Sequence, residues 1–164
     1  MPVANGNPAP GFSLPDAANE AQYSTDCALK RGPLLIAIYK SSCEASKTMF
    51  QMLEALGAAY PEDRFTLFGV AQDSANVTRS FIRRVGVSFP MLIEGEEYPV
   101  SSAYDIEETP TVFLVDTTGT IIWQSSGFQL YAIEEVSGKI AELLYTSPAD
   151  VTASATDIPQ LVPG

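Results

Sequence analysis

The stretch Pro33-Leu34-Leu35-Ile36-Ala37-Ile38-Tyr39-Lys40-Ser41-Ser42-Cys43-Glu44-Ala45-Ser46-Lys47 holds two patterns back to back. Pro33 to Tyr39 is an unbroken apolar run, the mark of a strand covered on both faces of a sheet. From Cys43 the period changes. Ala45, Met49, Met52, Leu53, Leu56 and Tyr60 recur at helical spacing until Pro61 stops the helix. A doubly buried strand that feeds a long amphipathic helix is the opening of a βαβ unit.

Working outward, Phe65 to Ala71 is a second buried strand. Ser74 can cap a helix carrying Val77, Phe81 and Val85, with Gly86 just past its end. Met91 to Ile93 reads as a short strand and Glu96 to Tyr104 as a short helix or turn. Thr111 to Val115 is a strand, Asp116-Thr117-Thr118-Gly119 is turn chemistry, and Thr120 to Ser125 is its hairpin partner. Leu130 to Tyr145 is a last helix with Ile133, Val136, Ile140 and Leu144 on one face. The expected fold is α/β: one mixed sheet, helices on both faces, a βαβ unit followed by a β-hairpin and a C-terminal helix. Residues 1–146 read as a single domain whose residues 1–20 form a surface arm. Residues 147–164 read as a tail, mobile or docked through Ile158, Leu161 and Val162. Internal repeats and a second domain boundary are absent from the pattern.

Composition narrows the function. The 164 residues carry 9 Lys plus Arg against 20 Asp plus Glu, a net charge of -11. That balance argues against binding to nucleic acid or anionic lipid, both of which need cationic surface. The chain has no His, which excludes Ser-His-Asp and Cys-His catalysis and most zinc sites. Two Cys make neither a disulfide framework nor a zinc site, so no metal and no cofactor is expected. No run approaches the eighteen or so apolar residues of a membrane span. Met1 to Pro8 lacks the charged-then-apolar order of a secretory signal, so the expected location is cytoplasmic. The Asn76-Val77-Thr78 glycosylation match has no secretory context and reads as chance.

The chemistry concentrates at Tyr39 to Lys47, between the end of the first buried strand and the start of the first long helix. Sites in open α/β sheets lie beyond the carboxyl ends of the strands. A thiol at residue 43 meets unpaired backbone N–H groups and the positive end of the helix dipole, which favour thiolate. Lys47 lies four residues on and Lys40 adds a second cation, while the Glu44 carboxylate opposes a thiolate charge. Cys43 is therefore expected to be an activated nucleophile.

Three segments are similar to the thioredoxin fold, and most similar to the TlpA-like and peroxiredoxin-like (AhpC/TSA) redoxins. Pro8-Ala9-Pro10-Gly11-Phe12-Ser13-Leu14-Pro15-Asp16 resembles the family's N-terminal arm. Tyr39-Lys40-Ser41-Ser42-Cys43 stands where the family carries its active-site turn. Tyr104-Asp105-Ile106-Glu107-Glu108-Thr109-Pro110-Thr111-Val112-Phe113-Leu114-Val115-Asp116, followed by Gly119 and Ile121, resembles the strand that begins at the family's cis proline. The resemblance covers Pro8 to Tyr145. It implies that the Thr109–Pro110 bond is cis and lies against Cys43, leaving the Thr109 backbone polar groups open to a bound peptide or mixed disulfide. On this reading Cys43 and Ser46 are catalytic, while Thr109, Pro110, Tyr39, Ser42, Glu44 and Lys47 contact the substrate.

The sequence departs from the family where the chemistry is decided. The family's oxidoreductases carry Cys-x-x-Cys, and here the run is Cys43-Glu44-Ala45-Ser46. Ser46 can hydrogen-bond a Cys43 thiolate but cannot form a disulfide with it. What remains is monothiol chemistry on a disulfide or peroxide, with release by an external thiol. The buried acid that assists the second Cys has no counterpart in Pro33 to Tyr39. The peroxiredoxin Pro-x-x-x-Thr/Ser-x-x-Cys turn is replaced by Ile36 and Lys40 at its first two fixed positions. Cys27 precedes the first strand, whose seven residues span roughly 23 Å, so it is expected to lie far from Cys43, buried and inert.

Tyr39, Phe12, Phe113 and Trp123 are expected as core or groove aromatics. Glu94, Glu96 and Glu97 are expected in a solvated loop, and Arg79, Arg83 and Arg84 on a solvated helix face. The expected function is a thioredoxin-like redox protein acting through Cys43 on a protein or low-molecular-weight thiol or disulfide. The alternatives are a non-catalytic peptide-binding module of the same fold and a peroxiredoxin-related thiol peroxidase. Oligomeric state is not encoded in these patterns.

Overall fold

The computed structural model describes residues 1–152 and 158–164. Its elements run β1 (Ser13–Pro15), β2 (Gln22–Ser24), α1 (Thr25–Leu29), β3 (Leu34–Tyr39), α2 (Glu44–Ala59) and β4 (Thr66–Ala71). They continue with α3 (Ala75–Val85), β5 (Met91–Ile93), α4 (Pro99–Ala103), β6 (Thr111–Val115), β7 (Ile121–Ser126), β8 (Phe128–Gln129), α5 (Leu130–Leu144) and β9 (Leu161–Val162). The central sheet has five strands in the order β5-β4-β3-β6-β7. β3 runs parallel to β4, and β4 to β5, whereas β6 is antiparallel to both β3 and β7. The expected mixed sheet is therefore present.

β3 lies mid-sheet, and all six of its residues are buried. Because strand side chains alternate between faces, its apolar run feeds two cores. Leu35, Ala37 and Tyr39 face the core built from α2, α5 and Phe81 of α3. Leu34, Ile36 and Ile38 face the core that takes in Ala28 of α1, Val100 of α4 and Leu14 of the arm. β6 alternates likewise, with Val112 and Leu114 on the first face and Phe113 and Val115 on the second. Burying an aliphatic side chain of this size is worth about 1.5–3 kcal/mol, so each of these strands stabilises both cores.

Caps define the helix limits. The Ser74 hydroxyl accepts from the Val77 amide, and Gly86 closes α3 in the left-handed region at φ 83. The α4 cap differs from the sequence expectation. Glu94, expected in a solvated loop, is 6% exposed. Its Oε1 accepts from the amides of Val100 and Ser101, each at 2.9 Å, and its Oε2 accepts from the Ser101 hydroxyl at 2.5 Å. Tyr98, in the N-cap position, offers no side-chain cap, and the buried carboxylate supplies the acceptor instead.

The two ends are tied to the body. The first twenty residues run over the surface as an attached arm. Val3 donates to Tyr104, Gly6 to Ile121 and Ala9 to Gly119 through backbone amides, and β1 pairs with β2 in a small hairpin. The tail is docked. β9 pairs antiparallel with β8, and the Leu130 amide donates to the Gln160 carbonyl at 2.8 Å. Before that, Tyr60 and Ser137 bind the backbone of Ala149. Ile158 and Val162 pack on the α2–α5 core, while Leu161 stays exposed. No helix among the described residues is long and apolar enough to cross a membrane.

Candidate active site around Cys43

Parallel pairing sets the carboxyl ends of β3 and β4 side by side, and the Gln72 amide donates to the Tyr39 carbonyl at 3.1 Å. The turn after β3 is held by a residue from beyond β4. Asp73 Oδ2 accepts from the Ser41 amide at 2.7 Å. The sequence reading missed Asp73. The signal was available: two consecutive buried strands joined by a helix are parallel, so the residues that follow each strand become neighbours.

Cys43 occupies the N-cap position of α2 and is half-buried. Its sulfur donates to the carbonyl oxygen of Thr109 at 3.3 Å. The Thr109–Pro110 peptide is cis. Pro110 is buried and accepts from the Gly127 amide at 2.8 Å, which ties the turn to the start of β8. No side chain caps the first turn of α2. The amides of that turn therefore remain oriented towards the sulfur's end of the helix.

The Thr109 carbonyl, expected to be open, is not. Besides the Cys43 contact, Gly164 closes over it: a Cβ built on Gly164 would sit 2.5 Å from that oxygen and 2.5 Å from a Glu108 carboxylate oxygen. Only a glycine fits so close to the backbone there. The docked tail thus borders the same groove as the thiol.

Other candidates fall apart from the site. Ser46 is fully buried, and its hydroxyl has no hydrogen-bond partner among the described residues. The expected bond to Cys43 is therefore not made in this structure, although Cys43 packs against the same core from its half-buried position. Tyr39 is fully buried among Phe50 and Phe81, with ring centroids at 4.4 and 4.8 Å, and cannot touch a substrate. Its alternation places it under the sheet rather than at the groove. Burial pushes its hydroxyl well above the ordinary tyrosine range. Ser42 and Glu44 are exposed beside Cys43. Lys47 pairs with Glu44 at 3.4 Å, so the cation expected to serve the thiol serves a carboxylate. Lys40 is exposed.

Cys27 is a further correction. It is exposed rather than buried, on the one-turn helix α1. Both thiols are free. Among the described residues no cluster of three or more acidic or thiol side chains is arranged to hold a metal ion.

The AhpC/TSA family profile matches residues 5–124. Over 126 residues the chain is 27% identical to the thiol-disulfide oxidoreductase ResA of Bacillus subtilis, covering 73% of this chain and 66% of that protein. Among solved structures, a putative thiol:disulfide interchange protein DsbE from Chlorobium tepidum superposes with a TM-score of 0.78 at 21% identity. It covers 87% of this chain and 99% of its own. The thioredoxin domain of a thiol-disulfide oxidoreductase from Bacteroides vulgatus superposes at 0.72 with 19% identity, covering 84% of this chain and 99% of that one. The fold is thioredoxin-like.

Proposed function

Because this chain belongs to the AhpC/TSA family, we propose that it is a thiol-disulfide oxidoreductase whose Cys43 works without a partner thiol, on protein or low-molecular-weight disulfides. The single observation that carries the reading is the Cys43 sulfur at the uncapped start of α2, 3.3 Å from the Thr109 carbonyl. A relative of similar sequence is named a thiol-disulfide oxidoreductase, which supports the reaction class.

The resting thiol donates a hydrogen bond to the Thr109 carbonyl. Once the proton leaves, that bond is lost, and the sulfur sits beside the first-turn amides of α2, which stabilise negative charge. The thiolate attacks one sulfur of a disulfide R–S–S–R′. A Cys43–S–S–R bond forms, the R–S–S–R′ bond breaks, and R′–S⁻ leaves with the electron pair. An external thiol R″–SH, as its thiolate, then attacks the R sulfur. It forms R–S–S–R″ and returns the Cys43 thiolate. Ser46 carries no sulfur, so the second attack comes from outside the chain. Once Cys43 has released it and Gly164 has moved off it, the Thr109 carbonyl is an acceptor for a backbone amide of a bound peptide.

The test is turnover of a peptide–glutathione mixed disulfide with glutathione as the external thiol. Cys43→Ser should lose at least a hundredfold in rate, and Cys27→Ser should lose none. Mass spectrometry should find the mixed disulfide on Cys43 alone. Turnover that survives in Cys43→Ser would overturn the reading. A wild type without turnover that retains the peptide as well as Cys43→Ser does would leave a binding module. Rapid sulfenic acid formation at Cys43 with peroxide, without disulfide exchange, would leave a peroxidase.

A further inference from the structure

At the opposite end of β4 from the thiol, the sheet has a gap. β5 pairs with β4 only from Gly69 to Ala71. The rungs are a bond from the Gly69 amide to the Pro90 carbonyl and, further on, one from the Glu94 amide to the Ala71 carbonyl. In this register the next rung would run from the amide of residue 90 to the carbonyl of Leu67. Residue 90 is proline and has no amide hydrogen. The Leu67 carbonyl therefore faces the edge with no strand partner.

A cavity of about 640 Å³ wraps around that edge, within the range of small-molecule sites. Its apolar walls are Tyr23, Phe65, Leu67, Phe68 and Phe89. Thr66 also lines it. That residue is 8% exposed, and its buried hydroxyl has no hydrogen-bond partner among the described residues. An orphaned buried hydroxyl costs about 1–3 kcal/mol unless something pairs with it. Three charged side chains stand at the mouth, Arg31, Glu54 and Glu62. Both Glu54 carboxylate oxygens accept from Ser88, at 2.9 and 2.6 Å, and the Arg31 guanidinium donates to the Glu62 backbone carbonyl at 2.7 Å. Two carboxylates outnumber the one guanidinium there, and a net charge of -11 repels anions.

We propose that this slot is a binding site for a neutral aromatic alcohol of about two fused rings. The rings take the place of water against the aromatic walls. The hydroxyl, both donor and acceptor, matches the two groups the fold leaves unpaired, the Leu67 carbonyl and the Thr66 hydroxyl. An added β-strand is a poorer fit, since the free edge offers the outward groups of one residue before the ladder to β5 resumes. The site is separate from the Cys43 groove and does not depend on the proposed redox reaction. Cys27 stands exposed at its mouth and reports occupancy.

The experiment titrates 2-naphthol into the full chain by fluorescence, with naphthalene and 2-naphthalenesulfonate in parallel. The expected result is saturable binding of one 2-naphthol per chain, tighter than either analogue. At saturation, iodoacetamide should label Cys27 at least threefold more slowly and Cys43 at an unchanged rate. Thr66→Val should weaken 2-naphthol about fivefold and leave naphthalene unchanged. Ala58→Trp, at an exposed position on the cavity wall, should abolish both. Absence of saturable binding, unchanged Cys27 labelling, or a sulfonate that binds as tightly as the alcohol would overturn the proposal. So would a Thr66→Val effect equal for 2-naphthol and naphthalene.

Discussion

The sulfur of Cys43 donates to the backbone carbonyl of Thr109 across 3.3 Å, joining the start of α2 to the turn before β6. The two residues are far apart in sequence and meet because β3 and β6 are neighbours in the sheet. The thiol is thus positioned by main chain from two strands rather than by side-chain partners of its own. Reactivity at Cys43 should follow the integrity of that backbone frame.

Asp73 is part of the frame. Asp73→Ala removes the acceptor of the Ser41 amide and frees the turn that leads to Cys43. Exchange at Cys43 should slow several-fold, with a stability loss of about 1–2 kcal/mol. Asp73→Asn keeps a carbonyl oxygen in place and should recover most of the rate. Stopped-flow exchange kinetics and thermal melts check both.

Ser46 contributes no hydrogen bond that a substitution could break. Ser46→Cys should therefore fold with a stability within about 1 kcal/mol of the parent, since a buried thiol is among the more comfortable core groups. Residues three apart on a helix are neighbours, so on oxidation the variant should close a disulfide between Cys43 and the introduced thiol. Thiol titration before and after mild oxidation reads it directly.

Gly164 closes over the Thr109 carbonyl, and β9 holds the tail there against β8. Deleting residues 158–164 should open the groove and speed alkylation of Cys43 by a few-fold. Labelling of Cys27, at the other end of the sheet, should not change. Peptide-resolved mass spectrometry separates the two.

Tyr39 buries a hydroxyl without a partner; the neighbouring Thr78 hydroxyl donates to the Ser74 carbonyl at 2.8 Å. Tyr39→Phe should leave stability equal or raise it by about 1 kcal/mol. Burial raises the folded-state pKa of Tyr39, and of Tyr104, above the unfolded value of 10.0. Their contribution is complete below pH 10 and falls as pH rises above it, because the unfolded chain ionises first. Tyr39→Phe should weaken this alkaline loss, as denaturant melts between pH 9 and 12 would show.

Glu94 caps α4 from inside the protein. Glu94→Ala leaves two buried amides and the Ser101 hydroxyl without this acceptor. The cost should be about 2–3 kcal/mol, and Glu94→Gln should recover part of it. Chemical denaturation gives the number.

The sequence carried the sheet because burial on both faces leaves a one-dimensional trace: Pro33–Tyr39 and Phe65–Ala71 admit no charged residue. It carried α2 and α5 because their apolar residues keep the helical period, and α3 because Ser74 and Gly86 mark its ends. It located Cys43 by the meeting of the two patterns. It hid α1, which is too short to show a period, and β1 and β2, three residues each. Tyr39 takes the core place its aromatic ring predicts, and neither it nor Ser46 contacts the groove, because chain proximity to Cys43 says nothing about which way a side chain points.

By itself, then, the sequence determined the α/β class, the order of the main strands and helices, and the presence of one thiol at a helix start. These are properties of local pattern, where a residue's burial is correlated with that of its near neighbours. Tertiary structure alone decided that Asp73 holds the turn, that the tail borders the groove, that Glu94 is a buried cap, and that Pro90 leaves a rung of the sheet empty. Each depends on which distant segments lie within hydrogen-bond reach, roughly 3 Å. That is settled by the packing of the whole chain and leaves no period in any one stretch of it.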